Sequence, residues 1–531
     1  MRTKGVNIER SGKQDQSVLK NALKMAFGTM TSRVLGQVRE SLLAYYFDVR
    51  ITDAWAAAFR VPNLFRRLLG EGSLSVSFIP VFVDAQQDSQ KRAQNLVNTV
   101  YSFLLIVLGC LTAFGILNPE PLMRLVLDAG FIADTEKYLM TVRMAKIMFG
   151  FVFFISTYAF MMGILNALGQ FALPAIAPTF LNISMIVFMF LPDSFVPMHG
   201  DQLAIGVLIG GILQAGILIP ALIKTGYLPR LSFDYRNSDF LKVLRNMAPG
   251  LVGMGLLQFT TIINLRFSSS LAEGTISYIS YVDRLIELPL SLISVSLGTA
   301  LLPALSKLRS QNEHTQFAET TRRYLELNLL MTMAAAAGLY VLAEPIVQLL
   351  FGRGRFHHGH VQATAAILQT YCWIMIFSSA VRVITPAYYA VKNTWFPAVV
   401  SFVCLVVHLV IAPILMERYQ VHGLMMSTII SATLNLSLLL GFYNKFIGQF
   451  SYFKFIKSIF VFIPLALAAA ATSQVHFVLE KSLPVGLGFQ IVNISLSIGL
   501  ALAVFVLLGV FLKVKAVSDI IQKVISKIKN R

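Results

Sequence analysis

Phe171-Ala172-Leu173-Pro174-Ala175 has a counterpart in Thr394-Trp395-Phe396-Pro397-Ala398, with Pro397 standing 223 positions after Pro174. Moving outward, Ser77-Phe78-Ile79-Pro80 and Ala300-Leu301-Leu302-Pro303 pair at the same offset of 223. Glu120-Pro121-Leu122 and Glu344-Pro345-Ile346 pair at 224 and run on in parallel to Gly130 and Gly354. Any one pair could be chance, but three anchors sharing an offset and an order argue that one arrangement occurs twice.

The segments around these anchors are apolar. The chain of 531 residues is 56% hydrophobic and 13% charged, with a mean hydropathy of +0.69. Stretches of about 20 residues recur, each long enough to cross roughly 30 Å of hydrocarbon as a helix. Fourteen spans are expected, at 24–47, 53–83, 95–117, 138–166, 173–192, 203–224, 246–270, 276–305, 324–343, 362–391, 396–416, 423–444, 455–473 and 487–512. The fold class is therefore an all-α polytopic membrane protein. Six spans per copy is an even number, so the two copies are parallel repeats related by an axis along the membrane normal. The expected organisation is an N-terminal segment 1–23, an N-lobe 24–226, a C-lobe 227–447, two extra spans within 448–512 and a basic amphipathic tail 513–531. A similar, shorter interfacial helix is expected over 239–245. The polar, basic start predicts no cleavable signal peptide.

Loop charge predicts orientation, because Lys and Arg collect on the cytoplasmic side. Of the 44 Lys and Arg, 27 fall in the segments that share a side with both termini, 7 in the opposite loops and 10 within spans. Both termini are thus expected in the cytoplasm, and the net charge of +18 reflects topology. The basic residues form no single stripe, which argues against nucleic acid as a partner. Cys110, Cys372 and Cys404 stand singly and read as small buried hydrophobes.

Charge at membrane depth is costly and by default marks a path for something charged. In the first span Ser32, Gly36 and Arg39 share a helix face, with Arg33 beside them and Glu40 adjoining. In the second, Asp53, Arg60, Arg67 and Glu71 form a nearly vertical stripe, Asn63 lies one turn before Arg67, and Pro62 is expected to bend the helix. In the eighth, Asp283 and Arg284 each lie one turn from Glu287. Intramembrane ion pairing alone could account for Arg66, Arg67 and Glu71. Arg143 and Lys146 read as interfacial, and Arg266 and Arg382 have no partner legible in sequence. His357, His358 and His360, beside Arg353 and Arg355, fit no metal spacing and read as a solvated loop.

With these residues in hand, the chain resembles the MurJ family of lipid II flippases, in the multidrug/oligosaccharidyl-lipid/polysaccharide exporter superfamily. The resemblance rests on Ser32-Arg33-Val34-Leu35-Gly36 followed by Arg39, on Thr52-Asp53-Ala54, and on Pro62-Asn63-Leu64-Phe65-Arg66-Arg67 leading to Glu71-Gly72. It continues through Pro174-Ala175, Ala177-Pro178-Thr179, Leu181-Asn182-Ile183-Ser184, Asp283-Arg284-Leu285, Gly298-Thr299 and Leu302-Pro303. It implies a cytoplasmic-membrane transporter, not an enzyme, that turns an undecaprenyl-diphosphate-linked peptidoglycan precursor from the inner to the outer leaflet by alternating access. It implies that Arg33, Arg39 and Arg284, with Ser32 and Glu40 beside them, face the diphosphate and sugar head. It further implies functional charge at Asp53 and Arg66, a set that Arg67, Glu71, Asn63 and Glu287 join by position. The family commonly has Asp where Glu40 stands. Members that bind sodium use acids in spans 7 and 11, which have none here between 246 and 270 or between 396 and 416, so sodium coupling is not expected. The implied partners are lipid II, membrane lipids and cell-wall synthesis proteins; no cofactor or metal is implied.

Elementary chemistry points the same way. Arginine stays ionised and grips phosphate oxygens with a two-pronged fork, so surplus arginine favours an anionic head and repels a cationic drug. That sets a multidrug/cation antiporter below a flippase for another polyprenyl-diphosphate-linked oligosaccharide as the alternative reading. A membrane enzyme would show acids or histidines poised for proton transfer, and a scaffold would need no charge at depth.

Overall fold

The computed structural model describes residues 28–68, 74–481, 486–514 and 517–518, and among them the regular elements are helices. The expected N-terminal segment, Glu71 and nearly all of the basic tail lie outside the described residues. The chain divides into two compact units between Ile276 and Ser277.

In the first unit a helix over 28–46 turns into Val49–Phe65, which carries Pro62 and ends in a π-helical turn over 66–68. Leu74–Asp88 follows and Ser89 restarts the chain as an N-cap, its side chain accepting the Arg92 N–H at 3.2 Å, so that Gln90–Leu117 begins afresh. This satisfies one of the donors that a helix start leaves open. A short helix, Pro119–Val126, leads through Ala129–Ala133 to Thr135–Ala167, whose first turn is capped by Asp134. That fourth span is the core of the unit. It packs against the second, third and sixth spans, and Met144, Ala145, Met148, Phe151 and Val152 along it are fully enclosed. The fifth span is Ala172–Ile176 continued through Ala177, itself in helical conformation, by Pro178–Met189, and the sixth is Asp201–Gly216 with Ile219–Thr225.

The seventh span also packs on the first unit, touching the second and third spans. It belongs to one helix, Ser238–Ser269, so the separate interfacial helix expected over 239–245 is corrected to the leading turns of that helix, ahead of its apolar stretch. Asn237 caps it by accepting the Asp239 N–H at 2.9 Å, and no helix breaker stands between that cap and Pro249. The extended connector before it is laced to the third span. Gln94 donates to the Leu228 carbonyl at 3.0 Å, and the Arg230 and Ser232 N–H groups donate to Asn98 Oδ1 and Ser102 Oγ at 2.8 and 2.7 Å. Gln94, Asn98 and Ser102 recur every fourth residue and so form one polar rail.

In the second unit the eighth span runs Thr275–Leu290, a π-helical segment Ser291–Val295, then Ser296–Ser310. His314–Val341 and the short Ala343–Phe351 follow, then His358–Tyr371 and Ile374–Ala390, bent by 45°. Trp395–Gly441 holds both the expected eleventh and twelfth spans, separated by a break at Gln420 (φ 52°, ψ −129°). Tyr452–Ser473 packs on His314–Val341, where Ser458 Oγ donates to Glu326 Oε1 at 2.8 Å, and Leu487–Phe511 packs on Tyr452–Ser473.

The internal repeat is legible element by element. Gln90–Leu117 and His314–Val341 each have 28 residues, and each is followed by a short helix with Glu-Pro in its first turn. The second and eighth spans each carry a proline followed by a π-helical segment. Among the described residues nine helices are long and apolar enough to cross a membrane, ten with the bent pair taken as one. The second span starts at Val49 instead of 53, and a π-helical turn follows Pro62 over 66–68. Cys110 is exposed while Cys372 and Cys404 are buried; a small apolar residue has no need of a protein neighbour where lipid covers the helix.

Candidate functional site

The first span meets the fifth through a polar cluster. Asn182 donates Nδ2–H to the Ser32 carbonyl at 2.9 Å and accepts from Arg39 Nη1 at 3.0 Å. Arg39 also touches Met185 Sδ at 3.5 Å and forms an ion pair with Glu40. Arg39 and Glu40 are both buried, 4% and 5% exposed. Burying one charge alone costs several kcal/mol, and the adjacent carboxylate together with the amide offsets it. Asn182 is presented by a tightly seated fifth span. Gly206 and Gly210 let the sixth span approach so closely that a methyl group on either would stand 3.1 or 2.9 Å from the Met185 or Leu181 Cα. Close backbone approach at small residues is the usual basis of helix packing in lipid.

Ser32 and Arg33 line a cavity of about 350 Å³ with Thr29, Tyr158, Asn166 and Pro174 among its other walls. Arg33 alone among its described lining residues is charged. Its side chain is exposed, and Tyr158 is fixed beside it by donating to the Pro174 carbonyl at 2.9 Å. An exposed guanidinium on the wall of an open, partly aromatic cavity can take a phosphate in bidentate fashion.

Asp53 is 1% exposed, and its Oδ2 accepts from Lys137 Nζ at 2.9 Å and from the Gly274 N–H at 2.7 Å. Gly274 has φ +90°, a backbone region that side chains disfavour, which fits the residue type to the job of pointing this N–H inward. Around this pair Arg50 donates to Asp134, Glu136 and Glu273 at 2.6, 3.2 and 3.3 Å. The turn between spans 7 and 8 is further held where Arg266 donates to the Leu125 and Leu127 carbonyls and Ser269 Oγ accepts the Asp128 N–H. Arg266 thus has partners after all, in backbone that no sequence pattern could reveal.

The remaining expected residues are placed as follows. Arg66 Nε donates to Asn63 Oδ1 at 2.8 Å, and both are partly buried, as is Arg67; Glu71 lies outside the described residues. Arg284 and Glu287 are exposed on the eighth helix, in the second unit. Arg143 Nε binds Asp201 at 2.8 Å, and that carboxylate is fully enclosed. The histidines expected in a solvated loop are partly packed: His360 sits 2.6 Å from the Tyr278 hydroxyl and against the Phe356 ring, because apolar neighbours at Tyr278, Tyr281 and Phe351 gather there. No group of three metal-type ligands occurs among the described residues.

Sequence reasoning missed three participants. Lys137 reads as a loop cation until Asp53 is seen beneath it. Asn182 reads only as part of a motif. Asp239 is 2% exposed and takes a two-pronged grip from Arg92, at 2.7 and 2.8 Å; that hydrogen bonding holds its carboxyl below the usual carboxylate range. Its signal was an acid at the start of a helix facing a base 147 residues earlier.

Comparison with known proteins places this geometry in a family. The family model described as "Lipid II flippase MurJ" matches residues 43–494. A probable lipid II flippase MurJ of Bdellovibrio bacteriovorus is 53% identical over 442 residues, 82% of this chain and 84% of that protein. Among solved structures, a lipid II flippase MurJ in an inward closed conformation covers 92% of this chain and 99% of its own, with a TM-score of 0.76 and 24% identity. A multidrug resistance MATE family transporter of the MOP superfamily, inward-facing, shares the fold with a TM-score of 0.65 at 13% identity, over 80% of this chain and 96% of its own. With its repeat, its bent helix pair and its first-span arginine cluster in view, the chain belongs to the MurJ family of lipid II flippases.

Proposed function

We propose that the protein is a flippase that carries lipid II from the inner to the outer leaflet of the cytoplasmic membrane, for cell-wall synthesis. The observation that carries this is the family match over 43–494, which takes in the charged residues from Asp53 to Glu287. Arg33 on its cavity wall supports an anionic, diphosphate-bearing head as cargo. Arg33 and Arg39, with Ser32 and Glu40 beside them, and separately Arg284 on the eighth helix are proposed as the residues that meet the cargo head. Asp53, Asn63, Arg66, Arg67, Glu71 and Glu287 are proposed as the charged and polar frame that the motion requires.

The cargo class is a lipid-linked oligosaccharide whose prenyl chain stays in lipid while the head crosses. The motion is alternating access, with both termini on the cytoplasmic side, as loop charge favours. Spans 1–6 and 7–12 are the repeats, and in the proposed rocking the seventh helix moves with the first six, to which it is fastened. No ion site is invoked.

The test is replacement of a depleted flippase in a bacterium by this protein and its Arg33→Ala, Arg39→Ala and Arg284→Ala variants. The wild type should restore growth and outer-leaflet precursor; the Arg33 and Arg284 variants should insert normally and fail, and Arg39→Ala should fail with a lowered membrane yield. Growth with all three changed would sink the cationic-site reading, and precursor reaching the outer leaflet only when another polyprenyl-diphosphate sugar is supplied would redirect the cargo.

A further inference from the structure

We infer that Asn182 is a positioning residue for translocation, acting on the arginine face of the first span through Arg39 and the Ser32 carbonyl. The inference rests on the proposed cationic-site reading.

The geometry is that of a staple. Ser32 and Arg39 are seven residues apart, two turns and about 10 Å along the helix. A single amide from the fifth span reaches both, donating to the Ser32 carbonyl at 2.9 Å and accepting from Arg39 Nη1 at 3.0 Å. The Ser32 carbonyl lies inside a helix, so Asn182 uses the lone pair that the helix ladder leaves over. Between the two contacts lies Gly36, whose open face is covered by the same amide; a methyl group there would stand 3.7 Å from Asn182 Nδ2. Asn182 itself is 7% exposed and is held by the close seating of Gly206 and Gly210 on its helix. The rotation of the first span is thereby fixed, and with it the direction of Arg33 one residue beyond Ser32.

Only an amide does this. Leucine would fill the space and remove both bonds. Aspartate would keep the acceptor, lose the donor and set a second carboxylate beside Glu40. The repeat supplies an internal control: 223 residues on, Arg39 and Asn182 correspond to Ile262 and Leu405. The copy without the cation also lacks the amide, as expected if the two serve one another.

The experiment measures lipid II translocation by the full-length protein in proteoliposomes for Asn182→Leu, Asn182→Asp, Arg39→Gln and the Asn182→Leu/Arg39→Gln double variant. Asn182→Leu should lower the rate about tenfold or more, the scale expected for hydrogen bonds to a charged group. The double variant should lose less than the product of the two single losses, because the share of the Asn182 effect that runs through Arg39 is already gone and only its Ser32 contact remains to be lost. A purely structural contribution would instead multiply with the Arg39 loss, and that result, or a wild-type rate for Asn182→Leu, overturns the inference. Should Asn182→Leu not insert, Asn182→Asp carries the same test and must also lose rate. Wild-type translocation by both Arg33→Gln and Arg39→Gln would instead remove the underlying reading, whatever Asn182 does.

Discussion

Lys137 Nζ lies 2.9 Å from Asp53 Oδ2, with both side chains all but enclosed, at 6% and 2% exposure. The same oxygen receives the Gly274 N–H, so one carboxylate ties the second span to the fourth and to the turn that leaves the seventh. Removing one partner of such a pair strands the other charge and typically costs roughly 3–5 kcal/mol, whereas replacing both with apolar groups is often neutral. Lys137→Met should therefore lower the thermal unfolding midpoint in detergent sharply. The Asp53→Leu/Lys137→Met double variant should recover much of that loss, and a double variant as unstable as the single one would show that the pair is not the cause.

The Arg39–Glu40 pair separates folding from transport. Arg39→Gln deprives the buried Glu40 carboxylate of its adjoining cation and should reduce membrane yield as well as growth in the complementation assay. Arg39→Gln/Glu40→Gln restores neutrality and should restore yield, by the same stranded-charge argument, while growth stays lost. Recovered growth in the double variant would make Arg39 structural.

In the second unit Ser294 of the π-helical segment donates to Asn328 Oδ1 at 2.9 Å, and Asn328 donates on to Ser379 at 2.8 Å, all fully enclosed. Its repeat partner 224 residues earlier is Leu104, which shows that leucine suits the place when the hydroxyls are absent. Asn328→Leu alone should destabilise by about 1–3 kcal/mol, the cost of stranded buried polar groups. Adding Ser294→Ala and Ser379→Ala should return most of it, as read by thermal unfolding.

Asp239 provides a pH test. Arg92 holds its carboxyl below the usual range, so the stabilisation is fully present above the ordinary carboxylate value of about 4 and is lost only as pH falls through the lower folded value. Wild type should therefore exceed Asp239→Asn in melting temperature by a constant margin from about pH 8 to about pH 5. The margin should close in stronger acid, and a margin already closing near neutral pH would contradict the assignment.

Much of this was legible beforehand. Periodic apolar length and a shared offset between prolines are local and repetitive signals, so the helices and the duplication followed from residues such as Pro174 and Pro397. Motif residues such as Ser32 and Arg33 could be placed on one helix face by arithmetic. What stayed hidden were partners set by tertiary contact: Asn182 for Arg39, Lys137 for Asp53, Asp201 for Arg143. These lie 58 to 143 residues apart in sequence, and nothing in the spacing of either member encodes the other. The continuity of Ser238–Ser269 was missed because its charged first turns resemble an interfacial helix until the Arg92 contact shows that they are held by protein.

The seventh helix is fastened to the first unit at both ends, by Arg92 and Asp239 at one and by Leu125, Asp128 and Asp53 at the other. The duplicated sequence and the packed body are consequently out of step by one helix. A chain severed in the connector before Ser238 would leave the leading fragment with an uncovered docking surface, while one severed after Gly274 would carry its own lid. The two pieces that evolution copied are not the two pieces into which the protein would best be cut.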